Sequence, residues 1–458
     1  MKPWAILLAA ANIAIAPTTA AADEAAPTAT ITLSMTGGVP ISPLIYGINY
    51  NWNTVPAQRF SAWNAAMKNV ARYTLIHYPG GWSPEHYDWT ANQSPAWING
   101  GTNKYGYNPA TDKPGVDPNT LLDSAPQADF VTPSEPAIKD PANLGKVVAT
   151  SVDVVRRYGG RVKIWDIGNE WWIQRGGLVL PAKRAENLTR YGALVSAVVP
   201  AMKAVNESIQ IYATGDWEHP EEFVTMRRLA GPKAWAMLDG ISIHTYCGMA
   251  AAPLCSSIPS VSEKLRAITG KEKILDSQWL VTQKNTPEDY GIKNANHLAL
   301  AIQSIAFARM EAAIVWPVTD FVPALNFVSP DYATPYAPGV LFGWMSQYYE
   351  GQALETGGDI PAVAARNGKD VTVIVPTRNI GPRTVRIPLA GTGLSRVVSA
   401  EVMSSQNPDD WKRSREVQVH SLPVSIVQRA DGPAATFTVN PGEPGRGSNW
   451  EIVRVTLQ

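Results

Sequence analysis

Between residues 45 and 320 the chain alternates short strand-like runs with longer helix-like ones, and this alternation admits few folds. Eight runs have the length and apolar content of buried strands. The first four are Ile45–Asn49 (IYGIN), Thr74–Tyr78 (TLIHY), Ala128–Thr132 (ADFVT) and Val162–Ile167 (VKIWDI). The next four are Ile209–Thr214 (IQIYAT), Gly240–Tyr246 (GISIHTY), Lys273–Trp279 (KILDSQW) and Ala313–Val318 (AIVWPV). Helical patterns fall between several of them, at Gly145–Tyr158, Arg184–Val205, Val261–Thr269 and Asn294–Arg309. Strands that alternate with helices pair in parallel under a helical cover, and eight such units close a (β/α)₈ TIM barrel. An open doubly wound sheet is the competing arrangement, but no Gly-rich phosphate loop follows an early strand.

After about residue 350 the texture changes to short alternating runs, such as DVTVIVPT, RTVRIPLAG, AATFTVNPG and EIVRVTLQ, punctuated by Gly, Pro and Asn. These predict an all-β sandwich. The expected division is a catalytic barrel over 45–345 and a sandwich over 346–458, with segment 23–44 supplying a strand (TATITLSM) to that sandwich. Residues 1–22 read as a secretory signal peptide: Lys2, an apolar run from Trp4 to Ala16, then small residues at Ala20–Ala22. Export to the periplasm or the medium makes a disulfide between the two cysteines, Cys247 and Cys255, the expected state. It would close a loop holding Gly248 and Pro253. No later run is apolar for long enough to span a bilayer. With 39 basic and 39 acidic residues, the chain has no cationic excess for nucleic acid or an anionic membrane. A polar, mostly uncharged partner fits better.

In a parallel barrel, functional groups gather at the C-terminal ends of the strands. Here those ends read GINYNWN, HYPGGWSPEHYDW, DIGNEWW, TGDWEHPEE, HTYC, DSQW and WPVTD. Nearly all carry Trp, Tyr, His, Asn or a carboxylate. Aromatic faces for sugar rings, with amides and carboxylates for hydroxyls, are a carbohydrate-binding combination. Trp82, Tyr87, Trp89, Trp171, Trp279 and Trp316 are the expected platforms, and Asn49, His77, Asp216 and Glu218 further contacts. The long Gly/Pro/Asn-rich stretch from Asn99 to Asn119 has the length of a cleft wall.

IYGINYN, HYPGGWSPEHYDW, IGNEWW and ISIHTY, in that order on the first, second, fourth and sixth strands, resemble the clan A glycoside hydrolases. The resemblance is strongest to the α-L-arabinofuranosidase family 51, with families 39 and 44 related, and runs from about residue 45 to 320. It implies carbohydrate as substrate, no metal or organic cofactor, and two carboxylates, about 5–5.5 Å apart for retention or 6.5–9.5 Å for inversion. Glu170 matches the general acid after strand four, with Asn169 before it on the sugar 2-hydroxyl. His244 and Tyr246 match the strand-six pair that faces substrate and nucleophile.

Two positions depart from that pattern. At the strand-seven nucleophile stands Gln278, with Asp276 two residues upstream, and the usual Arg of strand two is His77. The changes agree physically, because a buried Arg facing a neutral Gln would lack its counter-charge, whereas a neutral His would not. Three readings follow. Asp276 takes over, sharing the inward face with Gln278 but lying ~6.6 Å deeper. Alternatively water, or a group of the substrate itself, attacks without an enzyme nucleophile; Asp216, Glu218, Glu135, Glu85 and Asp320 are then the carboxylates to activate it. Or the barrel binds sugar without cleaving it. A lyase with Tyr246 or His77 as proton acceptor fits less well, since the strand ends are poor in Lys and Arg.

Overall fold

The computed structural model describes residues 27–458 apart from 53, 82, 86, 93–114, 174–180, 248–254, 282–289, 317, 320–325, 411–412 and 442–448. Trp82, Asp320, the leader-like residues 1–22, Gly248, Pro253 and most of the Asn99–Asn119 stretch lie outside the described residues.

Two strands precede the barrel, β1 (Thr28–Leu33) and β2 (Val39–Pro40). The barrel strands are β3 (Gly47–Asn49), β4 (Leu75–Tyr78), β5 (Ala128–Thr132), β6 (Ile164–Ile167), β7 (Gln210–Asp216), β8 (Gly240–Tyr246), β9 (Lys273–Leu280) and β10 (Ala312–Val315). All eight pair in parallel and β10 closes onto β3, so the (β/α)₈ expectation holds. Each predicted helix is present with shifted ends: Leu144–Tyr158, Pro181–Val205, Ile258–Thr269 and Gly291–Phe307. Helices at Ala57–Val70, Glu222–Met237 and Ala337–Tyr348 complete the cover.

Strand parity sorts the barrel residues into two cores. Leu75, Ile164, Tyr212, Leu275, Ala312 and Ile314 point inward and fill the floor of the barrel. Their strand neighbours Ile76, Trp165, Ile211, Ile274 and Ala313 point outward into the larger core beneath the helices. Alternating residues of a strand face opposite sides, so each strand feeds both cores.

The C-terminal strands form two stacked sheets, antiparallel apart from one pair. In the five-stranded sheet β1 runs parallel to Arg383–Pro388 and antiparallel to Thr356–Gly358. In the seven-stranded sheet β2 is an edge strand. Ile31, Val385 and Phe437 from the first sheet meet Val371, Val373 and Val455 from the second in one apolar layer. Arg454 joins sandwich to barrel. Its guanidinium pairs with Glu401 at 2.6 Å and lies over the Tyr348 ring, 3.8 Å from the centroid.

Candidate active site

Above the apolar floor the barrel interior turns polar. The middle layer holds His77, Asp129, Asp166, Ser242 and Ser277, all buried. His77 Nδ1 lies 2.6 Å from Asp129 Oδ2, Ser242 Oγ donates to Asp166 Oδ2 at 3.1 Å, and the two serine hydroxyls are 2.7 Å apart. Burial lowers the His77 pKa to about 4 against the pull of Asp166, so the imidazole is neutral at physiological pH. Burial raises both carboxyls, Asp166 to about 8 with a smaller contribution from Asp129. His77 is therefore a buried layer residue below the strand ends, which corrects its reading as a substrate contact.

The top layer comprises Asn49, Asn169, Glu170, His244, Tyr246, Gln278 and Trp316, from the ends of five strands. Glu170 Oε1 is 3.0 Å from His244 Nδ1. Tyr246 Oη donates to Gln278 Oε1 at 2.9 Å, and Gln278 Nε2 donates to Asn169 Oδ1 at 2.7 Å. Burial, then the charge of Glu170, holds the Tyr246 pKa well above its usual value, so this hydroxyl remains a donor. The sequence-predicted Glu170, Asn169, His244, Tyr246 and Gln278 thus lie together, Glu170 bonded to His244, and Asn169, Gln278 and Tyr246 in a second chain of bonds. Neither amide atom of the buried Asn49 side chain has a protein partner.

Local backbone aims Glu170. Gly168 and Glu170 both take left-handed φ, 72° and 44°. The buried Glu85 carboxylate accepts from the backbone amides of Ser134, Glu135 and Asn169 and from Ser134 Oγ, tying this turn to the end of β5. A Cβ on Gly168 would lie 2.1 Å from Ser134 Oγ. Gly168→Ala should therefore cost about 3 kcal/mol through backbone strain and overpacking, visible as a lower urea midpoint with unchanged slope.

β9 does not alternate as a regular strand does. Ile243 pairs with Asp276 but His244 pairs with Gln278, so Ser277 is the extra residue of a β-bulge. Ser277 faces Ser242 inside the barrel, and Gln278 also faces inward to Tyr246. Asp276 instead turns to the helix side, accepting from Thr245 Oγ1 at 2.5 Å and Thr245 N at 3.3 Å. The expectation that Asp276 shares the inward face of Gln278 is corrected: the bulge removes it as a nucleophile.

Burial raises the Asp276 pKa to about 7, opposed by the Thr245 bonds. A carboxyl raised above its unfolded value retains its proton in the fold while the unfolded chain loses it, so stability falls as pH climbs from about 4 towards 7. The span is worth roughly 4 kcal/mol at most. Asp276→Asn keeps the Thr245 geometry and should remove that slope, measured as urea midpoints from pH 4.5 to 8.

Most of the predicted platforms have no open face. Trp279 is 0% exposed because its parity puts it under the helices. Tyr87 and Trp89 are buried outside the barrel against Tyr78 and Phe130. Trp171 stacks on Tyr191, and its Nε1 donates to Thr214 O at 2.7 Å. These are corrections from platform to packing residue. Trp316 is only partly buried and lies edge-on to Tyr246, 6.3 Å between centroids. The water-activating carboxylates divide similarly. Asp216 is clamped by Arg184 at 2.8 Å, Glu85 is consumed by backbone amides, and Glu218 is exposed outside the top layer. Glu135 shares with Glu170 a cleft of about 420 Å³, bordered also by Asn169, Trp171, Lys139 and Lys183.

The disulfide Cys247–Cys255 forms directly after Tyr246. Sequence reading missed the middle-layer carboxylates Asp129 and Asp166, although an acid set among apolar residues in ADFVT and IWDI was a readable signal.

No protein-family model matches the chain, and no curated protein does. Solved structures do. The GH51 arabinofuranosidase from Xanthomonas axonopodis pv. citri superposes with a TM-score of 0.66 at 14% identity, covering 94% of this chain and 100% of that one. AbfB, a family 51 α-L-arabinofuranosidase from Bifidobacterium longum, gives 0.64 at 13% identity, over 95% and 99%. A Paenibacillus polymyxa xyloglucanase of glycoside hydrolase family 44 gives 0.62 at 13% identity, over 94% and 100%. At these identities the likeness is one of fold: barrel and sandwich together are the architecture of these glycoside hydrolases.

Proposed function

We propose that this chain is an exported glycoside hydrolase that cleaves an O-glycosidic bond in an oligo- or polysaccharide, with Glu170 as its general acid. The observation that carries the reading is the top layer itself: a carboxyl at the end of β6, hydrogen-bonded to His244, beside an amide network at Gln278. Asn49 supports it, since a buried amide with neither atom satisfied suits a sugar hydroxyl. The disulfide fits an oxidising compartment.

Glu170 delivers its proton to the leaving oxygen as the bond from the anomeric carbon breaks. Gln278 has no charge to attack that carbon, and Asp276 faces away. Water, or a neighbouring group of the substrate, therefore forms the new bond. When water attacks, its proton passes to a carboxylate; Glu135, which borders the same cleft as Glu170 and is paired with Lys139, is the candidate. This route inverts the anomeric centre. Gln278 then serves as a neutral positioning residue for Asn169 and Tyr246.

A second reading is a sugar-binding protein without turnover, favoured by the Gln278 amide, whose oxygen and nitrogen are each hydrogen-bonded within the protein. A panel of aryl glycosides and glycans separates the two. Cleavage, with proton NMR showing the inverted anomer first, supports the hydrolase. Saturable binding by calorimetry with no product supports the binding protein. A retained anomer would exclude direct attack by water.

A further inference from the structure

The middle layer has a chemistry that sugar cleavage does not use. His77, Asp129 and Asp166 come from the adjacent strands β4, β5 and β6, each is 0–1% exposed, and one ligand atom of each lies within 4.8 Å of the others. His77 Nε2, Asp129 Oδ1 and Asp166 Oδ1 are buried without a hydrogen-bond partner. Three lone-pair atoms without donors are costly in a dry interior. Among the described residues no Lys or Arg pairs with either carboxylate.

We propose that His77, Asp129 and Asp166 form a structural site for one divalent transition-metal ion, of the zinc or manganese type, beneath the sugar site. Two carboxylates and a neutral imidazole balance a divalent charge and bring one nitrogen and two oxygens. That donor set suits zinc or manganese better than calcium, which takes six to eight oxygens. Ligand atoms around a tetrahedral zinc stand roughly 3.4 Å apart, so modest carboxylate rotation closes the cluster. On binding, the ion would enter between His77 Nδ1 and Asp129 Oδ2, now 2.6 Å apart, and replace the hydrogen bond they share, with Asp166 closing the set. The ion would tie three neighbouring strands together, and the site stands whether or not the chain cleaves sugar.

The test is metal content. Protein expressed with added Zn²⁺ or Mn²⁺, then gel-filtered against chelator-treated buffer, should hold about one ion per chain by plasma mass spectrometry. Asp129→Asn and His77→Gln should each hold at least about tenfold less. Unfolding the wild type with chelator and refolding it with Zn²⁺ or Mn²⁺ alone should raise its Tm over metal-free refolding. Wild-type protein that is metal-free from both media and gains no Tm on refolding with either ion overturns the proposal: the layer is then neutralised by protons. So does a variant that folds and retains the wild-type stoichiometry, since the ion then lies elsewhere. If neither variant folds, the two wild-type measurements decide.

Discussion

Glu170→Gln should lower kcat/KM by about 10³-fold on substrates with a poor leaving group, and by far less on aryl glycosides whose phenol leaves unprotonated. The difference follows from what the side chain supplies. An alkoxide leaving group needs the proton in the transition state, whereas an acidic phenol does not. Gln fills the same volume and can still hydrogen-bond His244 Nδ1, now 3.0 Å from Glu170 Oε1. Folding stability should therefore change by less than about 1 kcal/mol. The measurement is kcat/KM across phenols of graded acidity, with urea midpoints beside it. An equal loss on every substrate would make Glu170 a positioning residue and sink its role as acid.

The barrel was legible because parallel strands buried on both faces read as near-continuous apolar runs, as IWDI and GISIHTY do. Their C-terminal ends gave Asn169, Glu170, His244, Tyr246 and Gln278, which the structure does bring together. What escaped depends on parity and register. One inserted residue at Ser277 reverses the face of Asp276, and composition carries no sign of it. Trp279, read as a platform, is an outward residue by the same count. The helix at Ala337–Tyr348 is buried almost all round, so it lacks the polar face that marks a surface helix. Glu222–Met237 contains Gly231 and Pro232, a helix-breaking pair that the fold accommodates with a kink.

Gln278→Glu should move the product from the inverted to the retained anomer and destabilise the protein at neutral pH. The first effect comes from position. Gln278 faces inward in the top layer beside Asn169, which adjoins Glu170, so a carboxylate there completes the acid–nucleophile pair of a retaining site. The second effect comes from burial. The position is 2% exposed, and its described hydrogen bonds are to Tyr246 and Asn169, neither of them a cation. Gln278 Nε2 now donates to Asn169 Oδ1 at 2.7 Å, so Glu requires Asn169 to present its amide nitrogen instead. Tyr246 continues to donate, which leaves a buried carboxylate with two neutral donors and the charge of Glu170 nearby. Its pKa must rise, and stability conferred by the protonated form is then lost as pH rises through that value. A fall in Tm of roughly 2 °C at pH 7.5, largely recovered at pH 5, is the expected reading for about 2 kcal/mol in a chain of this size. Differential scanning calorimetry at the two pH values and proton NMR of the first-formed product measure both effects. A variant as stable as the wild type at both pH values would mean that a cation reaches position 278, and the neutral character of this site would have to be abandoned.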